Sequence, residues 1–316
     1  MNQEIIKLNQ VAKEYAQTLA LTNISFSVFK NQVHGLLGPN GAGKTTTMNI
    51  LAGLISPTRG EVWVDGKSPG QAKGLIGYLP ENPPLYLDMT VISFLNFVST
   101  IYGVPEKLKK KLIDKAMEKT NIADISHRLI GNLSKGLKQR VAMSMTLVFD
   151  PPILIWDEPM VGLDPKSLNE IRKLIIDLKN DHTILFSSHN LRDVQVLCSD
   201  ISIIQKGRVL VSDTIENIEQ KYQTKKVIKA VVSNIEKFQV DRLKDLNYVQ
   251  NIEVSKLTGG HQILFNLFDK KERRGDISQA LVGAGVELLA LETMETDLEN
   301  IFLKMTDANK PEQARL

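Results

Sequence analysis

The chain has 316 residues, which exceeds the usual size of one domain and predicts two. A hydrophobic content of 42% and a charged content of 24% are typical of globular proteins, and a net charge of +3 without a long basic tract argues against nucleic-acid binding. The single cysteine, Cys198, excludes an internal disulfide. The first residues lack the features of a signal peptide, and no stretch approaches the about 20 apolar residues of a membrane span, so we expect a cytosolic chain.

The first part of the chain is predicted to be rich in strands. Residues 5–8 form one candidate, and residues 24–28 alternate apolar and polar side chains as a half-buried strand does. Residues 33–37 are a candidate for a short buried strand. Residues 60–66 indicate a strand followed by a turn, and residues 74–79 indicate another short strand.

Between the strand at 33–37 and a helix that begins near Thr45 lies the spacing G-x-x-x-x-G-K-[ST] of a P-loop. Its glycines permit positive φ angles, so that successive amide N–H groups can form an anion-binding nest at the helix N-terminus. We expect Lys44 to reach the β- and γ-phosphates of a nucleotide and the Thr45 hydroxyl to ligate Mg²⁺. The residues predicted to hold the nucleotide here are Gly38, Pro39, Asn40, Gly41, Ala42, Gly43, Lys44, Thr45 and Thr46.

The middle of the chain changes from helices to buried strands. From residue 90 to 147, apolar residues recur every three or four positions, which predicts helices. Continuously apolar strands follow at 153–156 and 183–186, with a crossover helix at 168–178 between them, as in a parallel sheet covered on both faces. Residues 201–209 indicate a hairpin.

The strand at 153–156 is followed directly by two carboxylates, Asp157 and Glu158. Strands deliver such residues to the ligand-binding edge of an open α/β sheet. We expect Asp157 to hold Mg²⁺, directly or through water, and Glu158 to orient or deprotonate an attacking water. This pattern is weak evidence alone, but after a P-loop it indicates a nucleotide hydrolase.

Residues 133–140 read Leu-Ser-Lys-Gly-Leu-Lys-Gln-Arg, and here the chain resembles the ATP-binding subunit of an ABC (ATP-binding cassette) transporter. The signature of that family is L-S-G-G-Q followed by Q-R. The order of P-loop, signature and acidic strand also matches, as do residues 161–164, which resemble the D-loop, and His189, which resembles the switch histidine. Tyr15 stands where the family places an aromatic residue that stacks on adenine. The resemblance covers residues 1 to about 215.

The chain departs from the family pattern in two places. Lys135 and Leu137 replace a glycine and a glutamine of the signature, and Glu81 stands where the family has the glutamine of the Q-loop. By resemblance, Glu81 is a candidate Mg²⁺ ligand. These departures and the additional C-terminal region are similar to the branch of single-cassette subunits that serve drug, sodium or gliding-motility-type exporters.

The resemblance implies an α/β fold, a P-loop NTPase cassette with a mixed sheet and a helical signature subdomain, that binds ATP and Mg²⁺. It implies that two cassettes pair head to tail as a homodimer. Ser134 and Gly136 of one subunit would then cap the γ-phosphate held by Lys44 of the other. Asp164 would cross the interface, and His189 would contact the γ-phosphate and sense its loss.

The resemblance also implies a membrane partner. The paired cassettes would hydrolyse ATP and drive a separate permease, which would dock on residues 81–104. The chain would then be peripheral on the inner face of the cell membrane, without nucleic acid as a partner.

Two alternatives stay open. The first is a soluble ABC-type ATPase that serves a ribosome- or DNA-associated machine. Against it, the chain has one P-loop and one signature, and residues 46–132 are too few for a long coiled-coil insertion. The second is a nucleotide-binding regulator without transport, whose mark would be a missing catalytic carboxylate, whereas Glu158 is present.

A polar stretch at 220–226 marks the predicted boundary between an ATPase domain at 1–220 and a C-terminal domain at 226–316. Thr296 and Glu299 form a capping box that predicts a last helix. We expect a structural or docking module here. The order β-α-β-β-α-β predicts a small α+β ferredoxin-like domain, with strands at 227–232, 249–254, 262–267 and 287–291 and helices at 236–246 and 277–286.

Overall fold

The computed structural model describes residues 3–222, 227–244, 246–257, 259–268, 271–294 and 302. It divides into two compact units, residues 1–215 and residues 216–316, which are described separately below. Within the described stretches, no helix combines the length and the apolar character needed to cross a membrane.

The first unit is built on a nine-stranded mixed sheet in the order β4-β1-β2-β9-β8-β3-β7-β6-β5. Strands β5, β6, β7, β3 and β8 run parallel, whereas β1 pairs antiparallel with β2 and β4, and β8 pairs antiparallel with β9. The strands are β1 (Glu4–Tyr15), β2 (Thr18–Phe29), β3 (Val33–Leu37), β4 (Arg59–Val64), β5 (Ile76–Leu79), β6 (Ile153–Trp156), β7 (Thr183–Ser188), β8 (Asp200–Gln205) and β9 (Arg208–Thr214).

The centre of this sheet is buried on both faces. Every residue of β3, β6 and β7 is buried, which confirms the prediction from their apolar sequences. Trp156 at the end of β6 is fully buried, and its indole N–H donates to Thr146 Oγ1 at 3.2 Å. Three of the strands that lead into the site, β3, β6 and β7, are therefore buried along their whole length.

The helices of this unit connect and cover the sheet. The predicted helical region 90–147 contains three α-helices, and the predicted crossover helix begins three residues earlier than expected, at Pro165, because Asp164 caps it. The α-helices are α1 (Lys44–Leu51), α2 (Val91–Ile101), α3 (Glu106–Lys119), α4 (Lys135–Leu147), α5 (Pro165–Leu178) and α6 (Leu191–Leu197), and α7 (Ile215–Tyr222) begins where this unit ends; short 3₁₀ helices lie at Lys73–Leu75, Ala123–Ile125 and Ile130–Asn132.

Within the described residues, the second unit contains most of α7 and a four-stranded antiparallel sheet in the order β11-β12-β10-β13, with two further helices. The predicted β-α-β-β-α-β order is confirmed, and alternate residues of β10 (Ile228, Ala230, Val232) are buried. The elements are β10 (Val227–Val232), α8 (Lys237–Lys244), β11 (Val249–Leu257), β12 (Gly260–Leu267), α9 (Arg274–Gly283) and β13 (Leu288–Met294).

Several boundaries in this unit differ from those predicted. The helix expected at 236–246 is described over Lys237–Lys244, the strand expected at 249–254 continues to Leu257, and the strand expected at 262–267 begins at Gly260. The helix expected at 277–286 runs from Arg274 to Gly283, because a polar first turn precedes the apolar residues and Gly285, at φ +74°, lies beyond the helix end. The following strand correspondingly begins at Leu288 rather than 287 and extends to Met294. The helix predicted to begin at Thr296 lies outside the described residues.

A buried histidine in β3 makes the stability of the first unit dependent on pH. His34 is 1% exposed, stacks on Phe26 with ring centroids 5.5 Å apart, and places Nε2 2.9 Å from Ser202 Oγ. Burial lowers the pKa of His34 to about 3. The unfolded chain, with a histidine pKa of about 6.5, therefore binds more protons than the folded chain below that pH. The stabilisation is complete above pH 6.5 and is lost as the pH falls towards 3.

We expect acidification from pH 7 to pH 5 to remove about 2 kcal/mol of stability through His34 alone. Denaturant unfolding at the two pH values measures this loss. His34→Gln, which cannot become charged, should lose about 2 kcal/mol less than the wild type over the same interval. Equal losses in the two proteins would mean that His34 does not titrate as its burial requires.

Candidate nucleotide-binding site

Four neighbouring parallel strands bring most of the predicted site residues to one edge of the sheet. Strand β3 leads into the P-loop, β7 into His189, β6 into Asp157 and Glu158, and β5 into the segment that contains Glu81. The register aligns the strand ends, because Leu37 pairs with Ser188, and Trp156 pairs with both Phe186 and Leu79. Chain segments that are distant in sequence therefore meet beside the N-terminus of α1.

The P-loop adopts the tight geometry that its glycines permit. Gly43, the residue before α1, has φ +107°, and Gly41 has φ +76°. A methyl group at Gly38 would lie 2.4 Å from the carbonyl oxygen of Ile204, so no larger residue fits there. The Gly207 N–H donates to the Ala42 oxygen at 2.9 Å, so the β8–β9 turn supports the loop from behind.

Lys44 is held over the loop by its own backbone. Its side chain is only 6% exposed, and Nζ donates to the carbonyl oxygens of Gly38 (2.8 Å) and Pro39 (3.2 Å). Nζ also lies 3.1 Å from Glu158 Oε1. A buried ammonium in this position presents positive charge to the cleft in front of the loop.

Glu158 lies between Lys44 and His189. Oε1 pairs with Lys44, and Oε2 lies 3.0 Å from His189 Nδ1. The carboxylate is buried, whereas the His189 side chain is 46% exposed. Glu158 also has φ +49°, a left-handed conformation that is unusual for a residue with a side chain. The arrangement brings the proposed base, the P-loop lysine and the switch histidine into one cluster.

Asp157 lies behind Glu158 and is 1% exposed. Its N–H donates to the Leu79 oxygen at 2.8 Å, and its Oδ1 accepts a hydrogen bond from Ser187 Oγ. Its other oxygen, Oδ2, is buried and has no hydrogen-bond partner among the described residues. An unpaired buried carboxylate oxygen is costly, and a cation would remove that cost.

Lys44, Glu158 and His189, but not Asp157, line a cleft of about 520 Å³. It combines most of the residues predicted for the nucleotide site with several that sequence reasoning missed: Thr18, Leu19 and Ala20 at the start of β2, Val161, and Lys206 in the β8–β9 turn. The Lys-Gly pair at 206–207 was the available sequence signal for that turn. The lining residues are Thr18, Leu19, Ala20, Asn40, Gly41, Gly43, Lys44, Thr45, Thr46, Glu81, Glu158, Val161, His189 and Lys206.

The predicted residues outside the lining of this cleft include Gly38, Pro39 and Ala42 of the P-loop, and Asp157. Three others lie at or near the N-termini of two helices. Ser134 caps α4 and accepts a hydrogen bond from Leu137 N at 3.3 Å. Asp164 caps α5 and accepts from Ser167 Oγ at 2.6 Å; this bond and those from the nearby backbone lower the Asp164 pKa. Gly136 packs against α5, where a methyl group would lie 2.2 Å from Ser167 Oγ. The first turns of α4 and α5 are therefore in contact.

Tyr15 is also outside the cleft lining. Its ring is 44% exposed, and Lys13 Nζ lies 5.1 Å from the ring centroid, within the range of a cation–π contact. Tyr15 ends β1, whereas the cleft is lined by the first residues of β2. Glu81 is exposed and reaches the cleft, as expected for a residue that follows β5.

The side chains of the site are suited to binding Mg²⁺ and a nucleoside triphosphate. Mg²⁺ in such sites takes only one or two protein ligands, because phosphate oxygens and waters complete its octahedral shell. Thr45 in the cleft and the unpaired Oδ2 of Asp157 supply two oxygens of the required kind. Lys44, the loop amides and the N-terminus of α1 supply positive charge for the phosphates.

Comparisons with known proteins agree with this geometry. Residues 21–161 match the family model described as ABC transporter. An uncharacterized ABC transporter ATP-binding protein, YxlF of Bacillus subtilis, is 32% identical over 304 residues, which cover 96% of this chain and 100% of the relative. The linearmycin resistance ATP-binding protein LnrL of the same organism is 29% identical over 311 residues, covering 96% and 98%.

Solved structures give the same result. The structure of cbiO1 from Clostridium perfringens, part of the cbiONQ ABC transporter complex, has a TM-score of 0.63 and 27% identity, covering 70% of this chain and 95% of that one. The P-loop and the acidic strand meet at one cleft, and the sequence identity to YxlF extends over nearly the whole chain. The chain therefore belongs to the ATP-binding proteins of ABC transporters, the ATPases that bind and hydrolyse ATP to power transport.

Proposed function

We propose that this chain is the MgATP-hydrolysing subunit of a transporter, that it forms a homodimer around ATP, and that it drives a separate membrane permease from the cytoplasmic side. The observation that carries the proposal is the buried cluster in which Glu158 lies between Lys44 and His189 at the mouth of the P-loop cleft. The ATPase domain is residues 1–220, and residues 226–316 form an accessory domain.

In this mechanism the chain supplies charge and orientation. Lys44 exchanges its contact with Glu158 for the β- and γ-phosphate oxygens. Thr45 and Asp157, with Glu81 as a further candidate ligand, would hold Mg²⁺, and the ion would supply positive charge against the charge that develops on the phosphates. Glu158, freed from Lys44, accepts a proton from the attacking water. His189 donates a hydrogen bond to the γ-phosphate and orients the Glu158 carboxylate, because Nδ1 already lies 3.0 Å from Oε2. Preorganised charge of this kind is worth most in a site from which water is excluded.

The proposed dimer is supported by two features of a single chain, its open nucleotide cleft and the position of Ser134 outside that cleft. The cleft is open towards solvent, and Ser134 lies outside it with a hydroxyl proton that its capping contact does not use, since Ser134 Oγ only accepts from Leu137 N. A second copy placed head to tail would bring Ser134 and Gly136, at the N-terminus of α4, to the γ-phosphate. Asp164 would lie at the same seam, because the first turns of α4 and α5 are in contact.

The permease is proposed to dock on exposed apolar side chains within residues 81–104. We call Tyr86, Leu87, Phe97 and Ile101 the docking surface; they are 50%, 54%, 40% and 65% exposed. The Tyr86 and Phe97 rings pack edge to face with centroids 5.4 Å apart, so the surface has a defined shape. Clustered exposed apolar side chains of this size mark an interaction site. The surface follows Glu81 in the chain, so permease contacts and the cleft share one segment.

Changing this surface should weaken permease binding without changing ATP binding. Phe97→Asp places a charge in the docking surface, so we expect the chain to lose at least tenfold in co-purification with its permease from detergent-solubilised membranes, while ATP binding stays within twofold. Val196→Asp, which changes another exposed apolar residue, on α6 (60% exposed), is the control for introducing a surface charge and should co-purify normally. Mass spectrometry identifies the associated chains. Recovery of ribosomal or DNA-bound proteins instead of a permease would favour the non-transport alternative and contradict this proposal.

A further inference from the structure

The two carboxylate residues of the site, Asp157 and Glu158, share contacts with one serine hydroxyl that was not among the predicted site residues. Ser187, the penultimate residue of β7, is fully buried. Its Oγ accepts a hydrogen bond from the Glu158 N–H at 2.9 Å and donates one to Asp157 Oδ1 at 2.5 Å. One side chain of β7 thus contacts both carboxylate residues at the end of β6, the neighbouring strand.

The direction of this hydrogen-bond chain is determined by chemistry. A serine hydroxyl has one proton, and an amide N–H can only donate. The Glu158 amide therefore donates to Oγ, and the hydroxyl proton must go to Asp157 Oδ1. The hydrogen bond to an ionised carboxylate is the stronger of the two, and it has no competing solvent because Ser187 and Asp157 are both buried.

For Asp157, the result is that its two oxygens are no longer equivalent. Oδ1 is occupied by Ser187, whereas Oδ2 is buried without a hydrogen-bond partner among the described residues. The carboxylate cannot rotate to exchange the two oxygens without losing the Ser187 bond. Oδ2 is therefore the oxygen that remains for a cation.

For Glu158, the hydrogen bond to Ser187 stabilises an unusual backbone conformation. A φ of +49° costs free energy for a residue with a Cβ atom, and the hydrogen bond from its N–H to Ser187 offsets part of that cost. This backbone directs the Glu158 carboxylate towards Lys44 and His189. We propose that Ser187 is a positioning residue of the ATPase site, which orients Asp157 for Mg²⁺ and Glu158 for the attacking water through one hydroxyl.

This inference rests on the proposed roles of Asp157 and Glu158, and its test uses the full chain. With a non-hydrolysable ATP analogue bound, Ser187→Ala should weaken Mn²⁺ binding at least fivefold, as measured by electron paramagnetic resonance of the free ion. The same variant should lower kcat at least tenfold, whereas binding of the analogue in EDTA should stay within twofold. Ser187→Thr retains the hydroxyl and should recover most of the Mn²⁺ affinity.

The matched control is Ser202→Ala in β8. Ser202 is also fully buried and contacts two groups, His34 Nε2 at 2.9 Å and Ser212 Oγ at 2.8 Å, neither of which belongs to the site. We expect it to lower the melting temperature without changing Mn²⁺ affinity or kcat. Ser187→Cys, nearly equal in volume but a poor donor, should behave like Ser187→Ala and provides the test if the alanine variant does not fold.

The experiment distinguishes failure of the proposed Ser187 role from failure of the proposed ATPase function. A folded Ser187→Ala or Ser187→Cys protein with wild-type Mn²⁺ affinity and kcat would overturn the positioning role while leaving the ATPase intact. A wild-type protein that neither binds the analogue nor hydrolyses MgATP would instead overturn the proposed function.

Discussion

Replacing Lys44 with alanine should reduce nucleotide affinity at least a hundredfold and bring ATP turnover below detection. The change removes the buried ammonium that donates to Gly38 and Pro39 and faces the cleft. It also leaves Glu158 Oε1 without the ammonium at 3.1 Å, so a buried carboxylate that has lost its lysine partner would lie where the γ-phosphate must bind. Loss of one preorganised donor typically costs 10²–10³-fold in rate, and here binding is lost as well.

Binding of a fluorescent ATP analogue and phosphate release by the purified protein measure the two effects. Lys173→Ala, an exposed lysine on α5, is the control for the loss of one positive charge and should behave as the wild type. Turnover by Lys44→Ala at the wild-type rate would show that the P-loop has been assigned wrongly.

Replacing Glu158 with glutamine should have the opposite effect on binding and a similar effect on turnover. Glutamine preserves the shape of the side chain but cannot accept the proton of the attacking water, so we expect turnover to fall by 10²–10⁴-fold. Because a neutral amide no longer holds Lys44 in an ion pair, ATP should bind several-fold more tightly than to the wild type. The variant should therefore accumulate as an ATP-bound dimer.

Light scattering with MgATP measures the dimer, and phosphate release measures turnover. The control is Glu170→Gln on α5, which removes the negative charge that pairs with Arg140 at 3.1 Å and should leave the protein active and monomeric after hydrolysis. A Glu158→Gln protein that hydrolyses ATP normally and stays monomeric would contradict the assignment of Glu158 as the base.

The local parts of the site could be predicted from sequence because each depends on neighbouring residues. The P-loop lies where a strand turns into a helix, and the turn needs glycines at positions with φ +76° and φ +107°, so the spacing of Gly41 and Gly43 is visible in the sequence. Asp157 and Glu158 directly follow an apolar strand. The second unit was predictable for the same reason, since strands with alternating burial, such as β10, show their pattern over six residues.

The contacts between those parts were not predictable, because no local pattern encodes them. Ser187 is one of many serines, and its role depends on the pairing of β6 with β7. Lys206 reaches the cleft because the β8–β9 turn packs behind the P-loop. The starts of α5 and α9 were each predicted three residues late, because polar residues such as Arg274 form the first turn and apolar periodicity does not detect an exposed turn.

The sequence alone thus determined the family, the phosphate-binding loop and the identity of the two carboxylates, because a residue's chemistry and its spacing along the chain suffice for these. The tertiary structure decided which side chains meet. Lys44 and His189 contact the Glu158 carboxylate, and Ser187 contacts Oδ1 of Asp157, whose Oδ2 has no hydrogen-bond partner among the described residues. It also placed Ser134 and Asp164 outside the cleft of their own chain. The physical reason is that electrostatic and hydrogen-bond energies depend on distances in space, and sheet register sets those distances for residues far apart in sequence.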